Sequence, residues 1–289
     1  MSRACIEQTN AVKVTVINIS PGSIGSDQTI CSNTAPAPFT SVAPTGDGSF
    51  AYSWESSPNG TSSWTSLGVS TATYSSPALT ADIYFRRAVT STHGGTSCTL
   101  YTNIVHVSVN DFDPGTIGTA KTICEGDNSG ILNSVLPASG DPLATFAYQW
   151  LVSTDGTNFS AISGATNESY TSGPLLVDTY FRRQVTATLN GRACIEVTPA
   201  ILIQVNNLTP GSIEGTQTVC EGEIPSAFIE TASAVTDGAL AYQWQESANG
   251  VDGWTNVASG GNTLTYAPPA ALADDMWFKR LVTSNLAGV

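Results

Sequence analysis

Charge is scarce in this chain. Only 11% of its 289 residues are Asp, Glu, Lys or Arg, and ten basic side chains face 23 acidic ones, for a net charge of −13. A surface of that sign repels phosphate backbones, and no Lys/Arg cluster offsets it, so nucleic acid is excluded as a partner. Absent too is any run of about 18 apolar residues, so no membrane span is expected. Residues 1 to 20 lack the charged stretch and following apolar segment of a secretory leader, which is therefore absent or already removed. Histidine occurs only as His93 and His106, neither with a cysteine or carboxylate at ligand spacing, and both read as surface residues. No Gly-x-Ser-x-Gly and no glycine-rich phosphate loop stands between a strand and a helix. No catalytic residue, cofactor or metal is expected, and the chain does not read as an enzyme.

Six cysteines are present, at Cys5, Cys31, Cys98, Cys124, Cys194 and Cys220, with no CxxC pair and no Cys/His cluster among them. Zinc is a poor reading of that spacing. Structural disulfides are the better one, and they place the protein outside the cytoplasm, in the extracellular space or at a cell surface. Solubility comes from abundant Ser, Thr, Asn and Gly, a composition that suits short strands and turns better than helices.

The sequence repeats. PGSIG at Pro21, PGTIG at Pro114 and PGSIE at Pro210 recur at spacings of 93 and 96, each followed by QTIC, KTIC or QTVC. Then come AYSW, AYQW and AYQW with Trp54, Trp150 and Trp244, a turn at Asn59-Gly60, Asp155-Gly156 or Asn249-Gly250, and a second aromatic, Trp64, Phe159 or Trp254. LTADIYFRR, LLVDTYFRR and LADDMWFKR follow, and the first two units end on a Cys and an alternating stretch, NIVHVSVN or AILIQVNN. The period near two in these stretches predicts strands with one face in a core. Asn-Gly and Asp-Gly predict type I′ hairpin turns after the Trp strand. The whole is all-β: tandem two-layer antiparallel sandwiches of about seven strands each, with a Trp at the centre of each core. Tyr84, Tyr180 and Trp277, in the motif L-x-x-D-x-Y/W, are assigned to the structural core, at the corner where immunoglobulin-type sandwiches hold an aromatic. The carboxylate of that motif, Asp82, Asp178 or Asp275, is expected to pair with an Arg at the core edge.

These motifs taken together resemble the immunoglobulin-like repeats of large secreted surface proteins and adhesins of the Bacteroidota. The resemblance covers essentially the whole chain. It implies an extracellular array without enzyme activity, and it implies no ligand. Within that family pattern the early Cys of each unit bonds the late one, which would give Cys31–Cys98 and Cys124–Cys194.

The ends are permuted. Residues 1–19 read as an isolated last strand, 20–112 and 113–208 as complete repeats, and 209–289 as a third repeat lacking its last strand. EQTNAVKVTVIN alternates as TLYTNIVHVSVN does, with Val12, Val14 and Val16 on one face. A sandwich without that strand exposes unpaired backbone and an apolar groove. The occupant expected is the segment from Ala4 to Asn18 of another copy, inserted as in donor-strand assembly, with Cys5 and Cys220 bonded between molecules. Such a contact does not close on itself and generates a head-to-tail homopolymer, an extracellular filament. Covalent continuation of a longer array gives the same arrangement, and a soluble three-domain monomer with a frayed N-terminus is a further alternative. The rival from another class is a carbohydrate-binding or host-adhesion module with a glycan or cell-surface ligand, for which Trp64, Phe159 and Trp254 are the candidate aromatics. Asp47, Asp141 and Asp237, in Gly-containing loops, read as solvated turn residues rather than calcium ligands.

Overall fold

The computed structural model describes residues 1–286, and every regular element among them is a strand. The last three positions of the span 209–289 lie outside the described residues. Two compact units divide the chain: Met1–Asp113 with Gly140–Phe146 and Ala187–Cys194, and the remainder.

In the first repeat the strands are β1 (Gln28–Cys31), β2 (Ser49–Ser57), β3 (Thr65–Ser66), β4 (Ile83–His93), β5 (Thr96–Tyr101) and β6 (Val105–Asn110). They form one sheet in the order β1-β6-β4-β2-β3, with β5 also on β4. β4 is long enough to carry two partners along one edge: β6 beside its first half, with Phe85 opposite Val105, and β5 beside its second, with Ser91 opposite Cys98. β1 runs parallel to β6, Cys31 facing Asn110. Short ribbons, Ile19–Ser20 with Thr45–Gly46 and Ser23–Ile24 with Ser41–Val42, belong to the opposing layer. Between the layers lie Ile24, Ile30, Phe39, Trp54, Phe85, Val105, Val107 and Val109. This is an immunoglobulin-like sandwich, and the alternation of β6 is what puts its three valines into the core.

The second repeat reproduces the sheet with β7 (Lys121–Cys124), β8 (Thr145–Ser153), β9 (Ser160–Ala161), β10 (Thr179–Leu189), β11 (Arg192–Val197) and β12 (Ile201–Asn206), in the order β7-β12-β10-β8-β9 with β11 on β10. Its core holds Ile117, Ile123, Leu132, Trp150, Phe181, Ile203 and Val205. Among the described residues the third sheet has three strands: β13 (Ala239–Ser247), β14 (Thr255–Asn256) and β15 (Trp277–Asn285), in the order β14-β13-β15.

Trp54, Trp150 and Trp244 are all fully buried. Each indole N–H finds a carbonyl, of Thr71, Asn167 and Thr263 respectively, at 2.9 to 3.0 Å, so the large apolar ring is buried without orphaning its one donor. Tyr84, Tyr180 and Trp277 correct the sequence reading, for they are not core residues. Tyr84 and Tyr180 are half-buried and Trp277 is 44% exposed. Tyr84 lies flat over the turn glycine, where a Cβ on Gly60 would come within 2.7 Å of the ring, and it stacks on His106 at 4.1 Å. The aromatic therefore caps the turn from outside the sandwich.

That turn is itself different from the type I′ expectation. Gly60 and Gly156 have positive φ, but the residues before them do not. Instead the preceding side chain organises the loop: Asn59 Oδ1 accepts from the N–H groups of Thr61 and Ser62, and Asp155 Oδ1 from those of Thr157 and Asn158. An Asx side chain replaces the second positive-φ residue. Hydrogen bonds from the Asn158 side chain, then from the backbone, hold the Asp155 carboxyl well below the usual carboxylate range. A depressed folded-state pKa stabilises above the unfolded value, about 3.9, and that contribution is lost as pH falls below it. Asp155→Asn, which copies the first and third repeats, is expected to leave the melting temperature at pH 7 within about 2 °C of the parent. It is also expected to remove part of the acid destabilisation below about pH 4, read as a shallower slope of melting temperature against pH.

The strand pattern Phe85, Arg87, Val89, Ser91 points one face inward, and the arginine goes with it. Arg87 is fully buried; its guanidinium donates to Ser41 Oγ at 2.5 Å and to the carbonyls of Ala72, Val42 and Pro21, above the ring of Tyr52. Burial pushes its pKa below the ordinary arginine value. Arg183 repeats the arrangement with Ser134 and the carbonyls of Glu168 and Pro114, and Arg280 adds an ion pair to Glu230 at 3.0 Å. These arginines tie the first turn of each repeat to the opposite sheet. The carboxylate of the L-x-x-D motif does not pair with them.

Candidate functional site

What the motif carboxylate does is hold the last strand. Asp82 Oδ1 accepts from the backbone N–H of Val109 at 2.8 Å, and Asp178 Oδ1 from that of Val205 at 2.8 Å. Val107 and Ile203, two residues earlier, have no exposed surface at all. A last strand therefore engages each repeat in three ways: ladder pairing with β4 or β10, parallel pairing with β1 or β7, and alternate side chains in the core.

In the third repeat all three engagements are open among the described residues. No strand among the described residues pairs with the second edge of β15. The Gln217–Cys220 segment, equivalent to β1 and β7, forms no strand, and among the described residues no strand lies beside it as β6 and β12 lie beside those two; Val219 is 37% exposed where Ile30 and Ile123 are buried. Asp275 is exposed, and its carboxylate takes no hydrogen bond among the described residues. The fully enclosed core shrinks to Trp244, Val257 and Tyr266.

A segment with the same alternation stands at the other end of the sequence. Residues 1–18 form no strand, and Val12, Val14 and Val16 are 83%, 83% and 69% exposed. Nine residues separate Cys5 from Val14, as they separate Cys98 from Val107 and Cys194 from Ile203. Val12, Val14 and Val16 thus stand at the positions of Val105, Val107 and Val109.

The cysteines correct the family pattern. Cys31 bonds Cys194, with Cα atoms 5.6 Å apart, while Cys5, Cys98, Cys124 and Cys220 are free. Geometry forbids Cys31–Cys98. Val107 faces Ile83 on β4, whereas Cys98 faces Ser91 and Cys31 faces Asn110. Cys98 lies eight residues along the sheet in one direction from the Val107 level and Cys31 three in the other, about 35 Å in all at the rise of a strand, against a limit near 7 Å for bridging. The same topology separates Cys124 from Cys194. Cys194 reaches Cys31 on the return strand of the β10–β11 hairpin, whose tip is anchored by the buried Asn110: its amide donates to Ala187 O at 2.9 Å and to Arg192 O at 3.3 Å. Asn190 adds a bond to Thr29 Oγ1 at 3.2 Å.

The remaining candidates are tied up locally. Trp64, Phe159 and Trp254 are half-buried, with Arg86, Arg182 and Lys279 over their rings at 4.1, 3.9 and 4.1 Å. Asp47 and Asp237 accept from the backbone N–H of Asn18 and Asn207, about 30 residues earlier, and so tie the start of a repeat to a later loop, while Asp141 accepts from Leu143 and closes a local turn. Among the described residues no three His, Cys, Asp or Glu side chains gather as metal ligands. His93 is exposed. His106 departs from the expectation: cross-strand pairing brings Asp82 Oδ2 to 3.1 Å from its Nε2, a contact invisible in linear spacing, and Ser108 Oγ lies 3.4 Å from Nδ1. The serine contact exceeds proton-transfer reach, about 3.2 Å, and Leu202 and Gln204 occupy the same places in the second repeat. An open cleft of about 510 Å³ beside them is lined by Asp27, Thr29, Asn190 and Arg192.

The family model described as a domain of unknown function (DUF8696) matches residues 20–111, 113–207 and 209–289. No curated protein matches the chain. Solved structures similar to it include titin domains I67–I69 in an E-to-A mutated variant, at TM-score 0.46 and 11% identity over 94% of this chain and 95% of that one. The I67–I69 I-band fragment of titin aligns at TM-score 0.44 and 10% identity over 94% and 90%. The FN1–FN3 domains of chicken CNTN1 align at TM-score 0.26 and 11% identity over 93% and 94%.

Proposed function

Since the chain belongs to the DUF8696 family through each of its three repeats, we propose that it is a structural segment or subunit of an extracellular filament or cell-surface stalk. Copies join head to tail: residues 4–18 of one copy supply the last strand of the third repeat of another. The observation that carries this reading is the register match between three exposed valines and the positions of three buried ones, Val105, Val107 and Val109. Among the described residues, the free edge of β15, the Asp275 carboxylate without a hydrogen bond and the Gln217–Cys220 segment outside any sheet support it from the receiving side. Continuation within a longer polypeptide would produce the same strand order, and the mechanical role is the same.

An oxidising compartment agrees with the Cys31–Cys194 bond. No catalytic role is assigned. A sugar-binding or host-adhesion role has less support, since the rings that would serve as platforms each carry a cation on one face. A synthetic peptide spanning Met1–Ser20 tests the assembly. It is expected to bind the full chain under reducing conditions and to shorten multimers seen by light scattering. A chain that stays monomeric at every concentration and ignores the peptide would overturn the head-to-tail reading.

A further inference from the structure

We infer that disulfides in this array staple each repeat to the next, the cysteine ending the β1-type strand of one repeat bonding the return-strand cysteine of the repeat that follows it. In a head-to-tail pair, Cys5 of the incoming copy then bonds Cys124 and its Cys98 bonds Cys220. The inference rests on the head-to-tail reading. It replaces the expected Cys5–Cys220 bond, whose partners would belong to one repeat and stand as far apart as Cys31 and Cys98.

One such staple is present, Cys31–Cys194, and the seat for the next is already built. Cys124 ends its strand opposite Asn206 as Cys31 does opposite Asn110. The Asn206 amide donates to Ser284 O at 3.1 Å, as Asn110 donates to Ala187 O. Ala187 and Ser284 hold the same place after the buried arginine, four residues beyond Arg183 and Arg280. Ser284 Oγ returns a hydrogen bond to Asn206 Oδ1 at 2.5 Å, closing the contact. The anchoring half of the hairpin is thus docked in the third repeat. Its return strand is what the incoming segment provides. Cys194 follows Ala187 by seven residues, and Cys98, seven after Ser91, lies directly opposite it. A segment in register through Val12, Val14 and Val16 brings Cys5 opposite Ser284, beside Asn206 and so beside Cys124. The next repeat along is the incoming copy's first, which presents Cys98 to Cys220. Together with the internal bond these pairs use all six cysteines once.

Each bond joins two Sγ atoms with loss of two protons and two electrons. A small-molecule disulfide, such as oxidised glutathione, takes up the electrons and is cleaved to two thiols. The exposed thiols of Cys5, Cys124 and Cys220 are open to such exchange.

The test is oxidation of the concentrated full chain in glutathione buffer, followed by non-reducing electrophoresis and mass spectrometry of linked peptides. Expected are a multimer ladder, Cys5–Cys124 and Cys98–Cys220 peptides between copies, and Cys31–Cys194 within each. The double variant C5S/C124S retains the ladder through Cys98–Cys220. C5S/C98S loses the ladder but still associates by light scattering. Cys5–Cys220 peptides, or loss of the ladder in C5S/C124S, would overturn the stapling rule while leaving strand exchange intact. A parent chain monomeric in both reductant and oxidant overturns both.

Discussion

Val14→Asp is expected to leave the chain folded and monomeric at concentrations where the parent forms head-to-tail multimers. Position 14 matches Val107 and Ile203, which are fully buried, so assembly would bury a carboxylate in a valine's place. Losing the apolar side chain and desolvating the charge together cost about 4 kcal/mol or more, which weakens association about a thousandfold. Because Val14 is 83% exposed in the single chain, the substitution leaves circular dichroism and melting temperature unchanged. Thr15→Asp, on the opposite face of the same strand, serves as the control and assembles as the parent does. Equal association of parent and V14D in light scattering would sink the strand-exchange reading.

Arg87→Met is expected to destabilise the first repeat by about 3 kcal/mol, the usual cost of breaking one side of a buried polar network, equivalent to a fall of roughly 10–20 °C in melting temperature for a domain of this size. Methionine replaces the stem of the side chain without its guanidinium and leaves the carbonyls of Ala72, Val42 and Pro21 buried without that donor. Lysine is expected to recover less than half of the loss, since one ammonium cannot reach groups that a planar fork spans. Differential scanning calorimetry of the three proteins checks both statements. A melting temperature within a few degrees of the parent for R87M would mean that the network stabilises little.

The two predictions divide along what could be read from the sequence. The likeness of Val12, Val14 and Val16 to the last strands of the complete units was legible, because period-two alternation and a fixed nine-residue distance from a cysteine recur in both. The three core tryptophans were legible because AYSW or AYQW recurs before an Asx-Gly turn in every unit. Arg87 was present in that periodicity too, on the face of Phe85 and Val89, but a charge in a core position is read as an edge residue until its carbonyl partners are seen. Tyr84 was placed in the core by its motif and lies outside, because its strand neighbour Phe85 takes the inward face and alternation turns Tyr84 outward. The pairing of Cys31 was not legible at all. Its partner is 163 residues away, and the contact depends on where a hairpin tip of the next repeat docks, which no spacing within a repeat encodes.

The Cys31–Cys194 bond has a consequence for a single copy stretched between its two ends. A pull on the two ends of the oxidised chain passes from Cys31 to Cys194 through two sulfur atoms, so the backbone between them bears none of the tension. At about 3.4 Å per extended residue, a separation of 163 residues withholds on the order of 550 Å of contour length from stretching. Reduction returns that length to the chain, so the redox state of the surroundings sets how far each copy extends before it breaks.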